Sequence, residues 1–208
     1  MHPAQRHGIV IVAAGRGERA AGSGSGPKQY RLLGGIPLIA RTIDAFRAWD
    51  TDCPIVIVRH VDDEELLQTA ITGREENVSV VTGGATRQAS VLCGLEALVA
   101  LDHAPRFALI HDAARPFVPP AMLNAIAETL HQNPESGALP ALPVAETLKS
   151  ADKRGHVVAT VPRAGLYRAQ TPQAFPLSGI LDVHRRAVAE YDGEFTDDAA
   201  LYEWAGLP

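Results

Sequence analysis

The sequence predicts an α/β protein built on a mostly parallel sheet flanked by helices, with an extended β-arm late in the chain. Three observations predict this. Apolar, β-branched runs alternate with segments of helical recurrence at the spacing of right-handed βαβ crossovers. The strand runs carry little polar alternation, as expected for a sheet covered on both faces. From residue 137 the rhythm breaks into short β-like runs separated by prolines.

The elements follow in order. Gly8 to Val12 is the first strand, and it opens into the glycine-rich stretch 13–27. Ile36, Ile39, Ile43 and Phe46 recur at helical spacing, so 36–49 reads as a helix with Pro37 in its first turn. Pro54 to Val58 is the next strand and Asp62 to Thr72 the next helix. Val78 to Val81 is a third strand, entering Gly83-Gly84 and a helix over 86–101. Phe107 to Ile110 is a fourth strand, followed by a helix over 119–132. Lys149 to Gly155 reads as a polar turn between β-runs 144–148 and 156–161, giving a hairpin arm over about 140–172. Two helices, 176–191 and 196–204, close the chain, the second with Thr196 as N-cap and Asp197 and Asp198 in its first turn. We read residues 1–208 as a single domain.

Composition narrows the function. The 208 residues carry a net charge of −5, whereas a nucleic-acid surface is normally basic. No apolar run is long enough to span a membrane, and the expected location is the cytoplasm. Cys53 and Cys93 are the only cysteines; they form no metal-type pair and read as buried small residues. His111, His131, His156 and His184 show no zinc-ligand spacing.

The stretch 8–30, GIVIVAAGRGERAAGSGSGPKQY, carries the chemistry. A loop poor in Cβ atoms brings backbone N–H groups close to an anion, and Arg19 and Lys28 add full charges. Gly15 to Ala20 satisfies a loose dinucleotide fingerprint, but Gly22 to Pro27 interrupts the required helix and 35–43 holds no acid. Lys28 stands between Pro27 and Gln29, which excludes a Walker A loop. A phosphate site of another kind remains. Asp112 follows an apolar strand, at the sheet edge where ligands bind, and can hold Mg²⁺ or make a local turn. Gly83-Gly84 is a further glycine turn at a strand-to-helix junction, with Ser90 one helical turn on.

AAGRGERAAGSGSGPKQY, with Arg19 and Pro27-Lys28-Gln29-Tyr30, resembles the signature of the 2-C-methyl-D-erythritol 4-phosphate cytidylyltransferases. His111-Asp112-Ala113-Ala114-Arg115-Pro116 and Gly83-Gly84-Ala85-Thr86-Arg87-Gln88-Ala89-Ser90 are similar to two more of their motifs, with Ala85 standing where some relatives have an acid. The resemblance implies a Rossmann-like fold of the nucleotide-diphospho-sugar transferase type. It implies transfer of CMP from CTP to a polyol phosphate, with Arg19 and Lys28 catalytic and Asp112 holding Mg²⁺. Ala13, Ala14, Gly15, Gly17 and Ala113 would line the nucleotide together with Gly83, Gly84 and Ser90. Arg115, Thr147, Arg163, Thr171 and Thr196 would bind substrate, those of the arm supplied by the partner of a homodimer. Relatives continue past Pro208 with a strand and an Asn-x-Lys motif. The chain is then the front part of a two-enzyme fusion, or it lacks that lysine. A ribitol 5-phosphate cytidylyltransferase and a non-catalytic nucleotide-binding domain are the alternative readings.

Overall fold

A computed structural model describes residues 7–16 and 26–208. Gly17 and Arg19 lie outside the described residues. The chain runs through β1 (His7–Ala13), a small hairpin of β2 (Leu32–Leu33) and β3 (Ile36–Pro37), α1 (Leu38–Trp49), β4 (Ile55–Arg59) and α2 (Glu64–Ala70). It continues through β5 (Val78–Thr82), α3 (Arg87–Val99), β6 (Phe107–Asp112) and α4 (Pro120–Gln132). The arm holds β7 (Ala141–Pro143), β8 (Leu148–Ala151), β9 (Val157–Val161) and β10 (Tyr167–Ala169). The chain returns through β11 (Gln173–Pro176), α5 (Leu177–Glu190) and α6 (Asp198–Trp204).

Five strands form the main sheet in the order β11-β6-β1-β4-β5. The four crossover strands are parallel, and β11 runs antiparallel along β6. Side chains alternate across the central strands. Ile9, Ile11, Ile55, Ile57 and Leu109 pack with α1, α2 and α4 on one face. Val10, Val56, Val58, Ala108 and Ile110 pack with α3, α5 and α6 on the other. Both faces are thus buried, which is why these strands read as unbroken apolar runs. Gly94 on α3 is required by close packing, since a Cβ there would stand 2.4 Å from a Val10 methyl.

Several boundaries differ from the sequence expectation. Ile36 and Pro37 pair with Leu33 and Leu32, so α1 starts at Leu38. Strand β6 runs on through His111 and Asp112 because both pair in register with β1. The α6 cap is Asp197, not Thr196: the Asp197 side chain accepts from the Ala200 N–H at 2.9 Å. Lys149 belongs to β8, and the hairpin turn is shorter than 149–155, closed by Asp152 accepting from the N–H groups of Arg154 and His156. Gln173–Pro176, given no strand in the sequence reading between the arm and the helix from 176, is a buried strand of the main sheet.

Candidate active site

The carboxyl ends of β1, β4, β5 and β6 lie side by side, with Ala13 opposite Arg59, Arg59 opposite Thr82, and Val12 opposite Asp112. Each strand hands over to a loop there. In an open parallel sheet this edge is where a ligand fits.

The first loop is fixed from beneath. Gln29, 5% exposed, donates its side-chain amide to the carbonyls of Ala13 at 2.6 Å and Gly15 at 3.2 Å. Arg16 is tied to Asp63 and Asp62, each at 2.8 Å. Lys28 and Gln29 share one short 3-10 turn, Lys28–Tyr30, so the lysine is held beside the loop by its neighbour's anchor.

The second loop leaves β5 through Gly83 and Gly84. A Cβ on Gly83 would stand 2.8 Å from the Ala14 methyl and 2.6 Å from the Ser90 hydroxyl; one on Gly84 would meet Ala89 at 2.5 Å. The two glycines therefore let this turn press against the first loop and against α3. Ser90 is buried, and its hydroxyl donates to the carbonyls of Thr86 at 2.8 Å and Gly84 at 3.3 Å. It ties the turn to the helix from below. Thr86 caps α3 by accepting from the Ala89 N–H at 3.1 Å.

The third loop follows β6. Asp112 is 32% exposed by side chain and is flanked by two guanidinium groups, Arg115 at 2.9 Å and Arg87 at 3.6 Å. Ala113 is locked between the Val12 carbonyl, which accepts from its N–H at 3.1 Å, and the buried Thr42 hydroxyl, which donates to its carbonyl at 2.9 Å. His111, fully buried, bonds the Arg115 carbonyl through Nε2 at 2.9 Å. Burial pushes its imidazole down to about 4, so the ring is neutral at pH 7. Arg115 also donates to Gln170 at 3.0 Å, which joins this loop to the foot of the arm.

Arg87 is the link to the last motif. Its Nη2 lies 2.9 Å from Asp198, a carboxylate 2% exposed that also faces His184 Nε2 at 3.2 Å. Burial opposes charge on Asp198, but the His184 hydrogen bond and the Arg87 cation outweigh it and hold the carboxyl below its ordinary range. Burial likewise opposes the charge on Arg87, and Asp198 and Asp112 more than restore it.

Among the described residues no group of three or more His, Cys, Asp or Glu side chains could by itself cage a metal ion. Asp112 offers one partly exposed carboxylate beside a phosphate-type loop. That suits Mg²⁺, which is commonly held by one or two carboxylates with substrate phosphates and waters completing its shell.

The structure thus brings together Ala13, Ala14, Gly83, Gly84, Ser90, Asp112, Ala113 and Arg115, with Gly15 and Lys28 at the same loop. Thr147, Arg163 and Thr196 are exposed, and the Arg163 guanidinium donates within the arm to the Ala145 carbonyl. Thr171 is half-buried next to Gln170. Sequence reasoning misses Arg16, Gln29, Thr42, Arg87 and Asp198. Arg16, Gln29 and Arg87 do stand inside the motifs given above, but only the fold shows what they touch.

The family model described as IspD, 2-C-methyl-D-erythritol 4-phosphate cytidylyltransferase, matches residues 8–208. The chain belongs to this cytidylyltransferase family. It is 53% identical to the bifunctional enzyme IspD/IspF of Agrobacterium fabrum over 97% of its own length and 50% of that protein's. With the protein of the same name from Brucella anthropi it shares 51% over 95% of its length and 48% of the relative's. The chain spans about half the length of these curated relatives. Among solved cytidylyltransferase structures it superposes on 2-C-methyl-D-erythritol 4-phosphate cytidylyltransferase from Thermus thermophilus with a TM-score of 0.77 at 30% identity, covering 98% of this chain and 86% of that one. For 4-diphosphocytidyl-2C-methyl-D-erythritol synthase from Anaerococcus prevotii the TM-score is 0.79 at 27% identity, with 98% and 83% covered. Among the described residues no helix is long and apolar enough to cross a membrane.

Proposed function

We propose that this protein transfers CMP from CTP to 2-C-methyl-D-erythritol 4-phosphate and releases pyrophosphate. The observation that carries the reading is the meeting of two glycine turns and Asp112 on one sheet edge, with Gly83 packed against Ala14. Membership of the family supports the choice of substrates.

A phosphate oxygen of the acceptor attacks the α-phosphorus of CTP, and the bond from that phosphorus to the bridging oxygen of the leaving pyrophosphate breaks. The attacking group is already anionic near neutral pH, so no general base is needed. Phosphoryl-type transfer depends mainly on positioning and on neutralising charge. Backbone groups of Ala13 to Gly17 and of Gly83-Gly84 seat the nucleotide, and Ser90 and Ala113 support its pocket. Arg19 and Lys28 stabilise the charge that gathers on the α-phosphate. Bound at Asp112, Mg²⁺ supplies neutralisation of the triphosphate oxygens. Arg115 lies beside the phosphates. Thr147, Arg163, Thr171 and Thr196 hold the acceptor, those of the arm reaching the site of a second subunit in a homodimer. Residues 1–208 form one domain in this reading, joined in the whole protein to a second enzyme domain as in the bifunctional relatives. A reducing cytoplasm suits Cys53 and Cys93, both free thiols.

The test is pyrophosphate release with CTP and Mg²⁺ against a panel of acceptors. Turnover with methylerythritol phosphate and not with ribitol 5-phosphate is expected. Preference for ribitol 5-phosphate, or CTP binding without product for any acceptor, would overturn the assignment.

A further inference from the structure

Arg87 occupies the first position of α3, where the helix dipole disfavours a cation. Two carboxylates hold it there, and they differ in kind. Asp198 is 2% exposed and stands on a rigid mount. Asp197, its neighbour, caps α6 and accepts from Gln173 Nε2 at 2.8 Å, while Gln173 Oε1 accepts from the Ala199 N–H at 3.0 Å. His184 on α5 faces the other Asp198 oxygen. Asp112, by contrast, is partly exposed at the ligand edge. Arg87 lies at 2.9 Å from the mounted carboxylate and 3.6 Å from the exposed one. The shorter contact goes to the buried carboxylate, not to the exposed one.

We infer that Asp198 is a positioning residue that holds Arg87 back from Asp112 and so keeps the Asp112 carboxylate available to a divalent cation. The inference rests on the proposed placement of Mg²⁺ at Asp112. Asp112 Oδ2 is already taken by Arg115, which leaves Oδ1 as the oxygen at issue. Were Arg87 to close fully on Oδ1, both carboxylate oxygens would carry a guanidinium and a cation would meet a neutralised site. Asp198 prevents this by offering the same guanidinium a nearer, drier and better-fixed partner. Groups that orient a metal ligand in this way tune affinity without touching the metal. The role also gives the buried Asp198 and His184 a purpose beyond packing, since a buried ion pair by itself is weak evidence of a stabilising device.

The test measures CTP affinity by calorimetry with and without Mn²⁺, so that the readout is the gain in affinity due to the cation and not turnover. The wild type should show a clear gain, and Asp112→Asn should lose it. Asp198→Asn should reduce the gain about 10-fold. The double variant Asp198→Asn with Arg87→Gln should restore it to within about threefold of the wild type, because no guanidinium is left to close on Asp112. A merely structural role for Asp198 would not be rescued by a second substitution at its own partner. A folded Asp198→Asn with a wild-type gain, or a double variant as weak as the single one, would overturn the inference. Should Asp198→Asn fail to fold, Arg87→Gln alone decides. A gain equal to or above the wild type supports the inference, and a loss of about 10-fold overturns it by making Arg87 a phosphate ligand. If Asp112→Asn keeps the full gain, the metal placement itself fails. If only Asp112→Asn loses it, the placement stands and the role of Asp198 does not.

Discussion

The Gln29 side chain donates to the Ala13 carbonyl at 2.6 Å across sixteen positions of sequence, and to the Gly15 carbonyl as well. In a trans peptide the C=O and the N–H point in opposite directions. Turning the Ala13 and Gly15 carbonyls toward Gln29 therefore turns the N–H groups of Ala14 and Arg16 away from it, toward the open side of the turn. Gln29→Leu keeps the bulk, removes the donor and leaves the Ala13 carbonyl without its partner, a loss of about 1–3 kcal/mol. We expect CTP kcat/KM to fall about 10-fold or more while KM for the acceptor stays put, as a steady-state titration of each substrate would show. An unchanged CTP term would mean that the loop holds its shape without Gln29.

Lys28 sits one residue earlier in the same 3-10 turn and is only half-buried. If it neutralises charge in the transition state, Lys28→Ala should lower kcat on the order of 100-fold and leave the melting temperature close to that of the wild type. Near-normal turnover would remove it from the chemistry.

Two buried histidines make stability depend on pH. Burial lowers His7 to about 4, helped by His131 and opposed by Asp50, and burial lowers His111 to about 4. Both folded values lie below the unfolded 6.5, so as pH falls the unfolded chain takes up protons first. Stability is therefore full above about 6.5 and is lost progressively down to about 4. By pH 5 the loss should be about 2 kcal/mol per histidine, read as a drop in the urea midpoint between pH 7 and pH 5. His7→Phe should flatten that drop. A flat profile in the wild type would mean that these rings take up protons in the folded state.

What was legible in the sequence, and what was not, follows from the range of the interactions. Strands β1, β4 and β6 announce themselves because burial on both faces demands apolar runs, whereas the largely exposed edge strand β5 is marked only by its β-branched residues. The glycine turns and Asp112 announce themselves because each follows such a run directly. Strand β11 escapes because Gln-Ala-Phe-Pro is short, ends in proline and sits in a proline-rich stretch, yet it is fully buried against β6. The α6 cap is misplaced by one residue because Thr196 and Asp197 are both good caps, and only the Ala200 bond tells them apart. Arg87 and Asp198 are far apart in sequence, and no local pattern marks a pair whose partnership the sheet alone creates.

The arm is the remaining place where local structure asks for something outside the chain. All five residues of β9 are exposed, although successive side chains in a strand point to opposite faces. Val157 is 66% exposed and Val158 68%, one on each face. A two-stranded ribbon with one strand bare on both faces is marginal in water, so a covering surface is needed. In the proposed homodimer a second copy of the chain would supply one and would carry Thr147 and Arg163 to the neighbouring site. The prediction is a dimer by light scattering for the wild type and a monomer for Val157→Asp with Val158→Asp, with the main sheet still folded by circular dichroism. The monomer should show a KM for methylerythritol phosphate raised about 10-fold, and Arg163→Ala should raise the same KM while leaving that for CTP alone. A monomeric wild type with full activity would mean that the arm serves its own site. An Arg163→Ala that weakens only CTP would put the arm on the nucleotide side of the reaction.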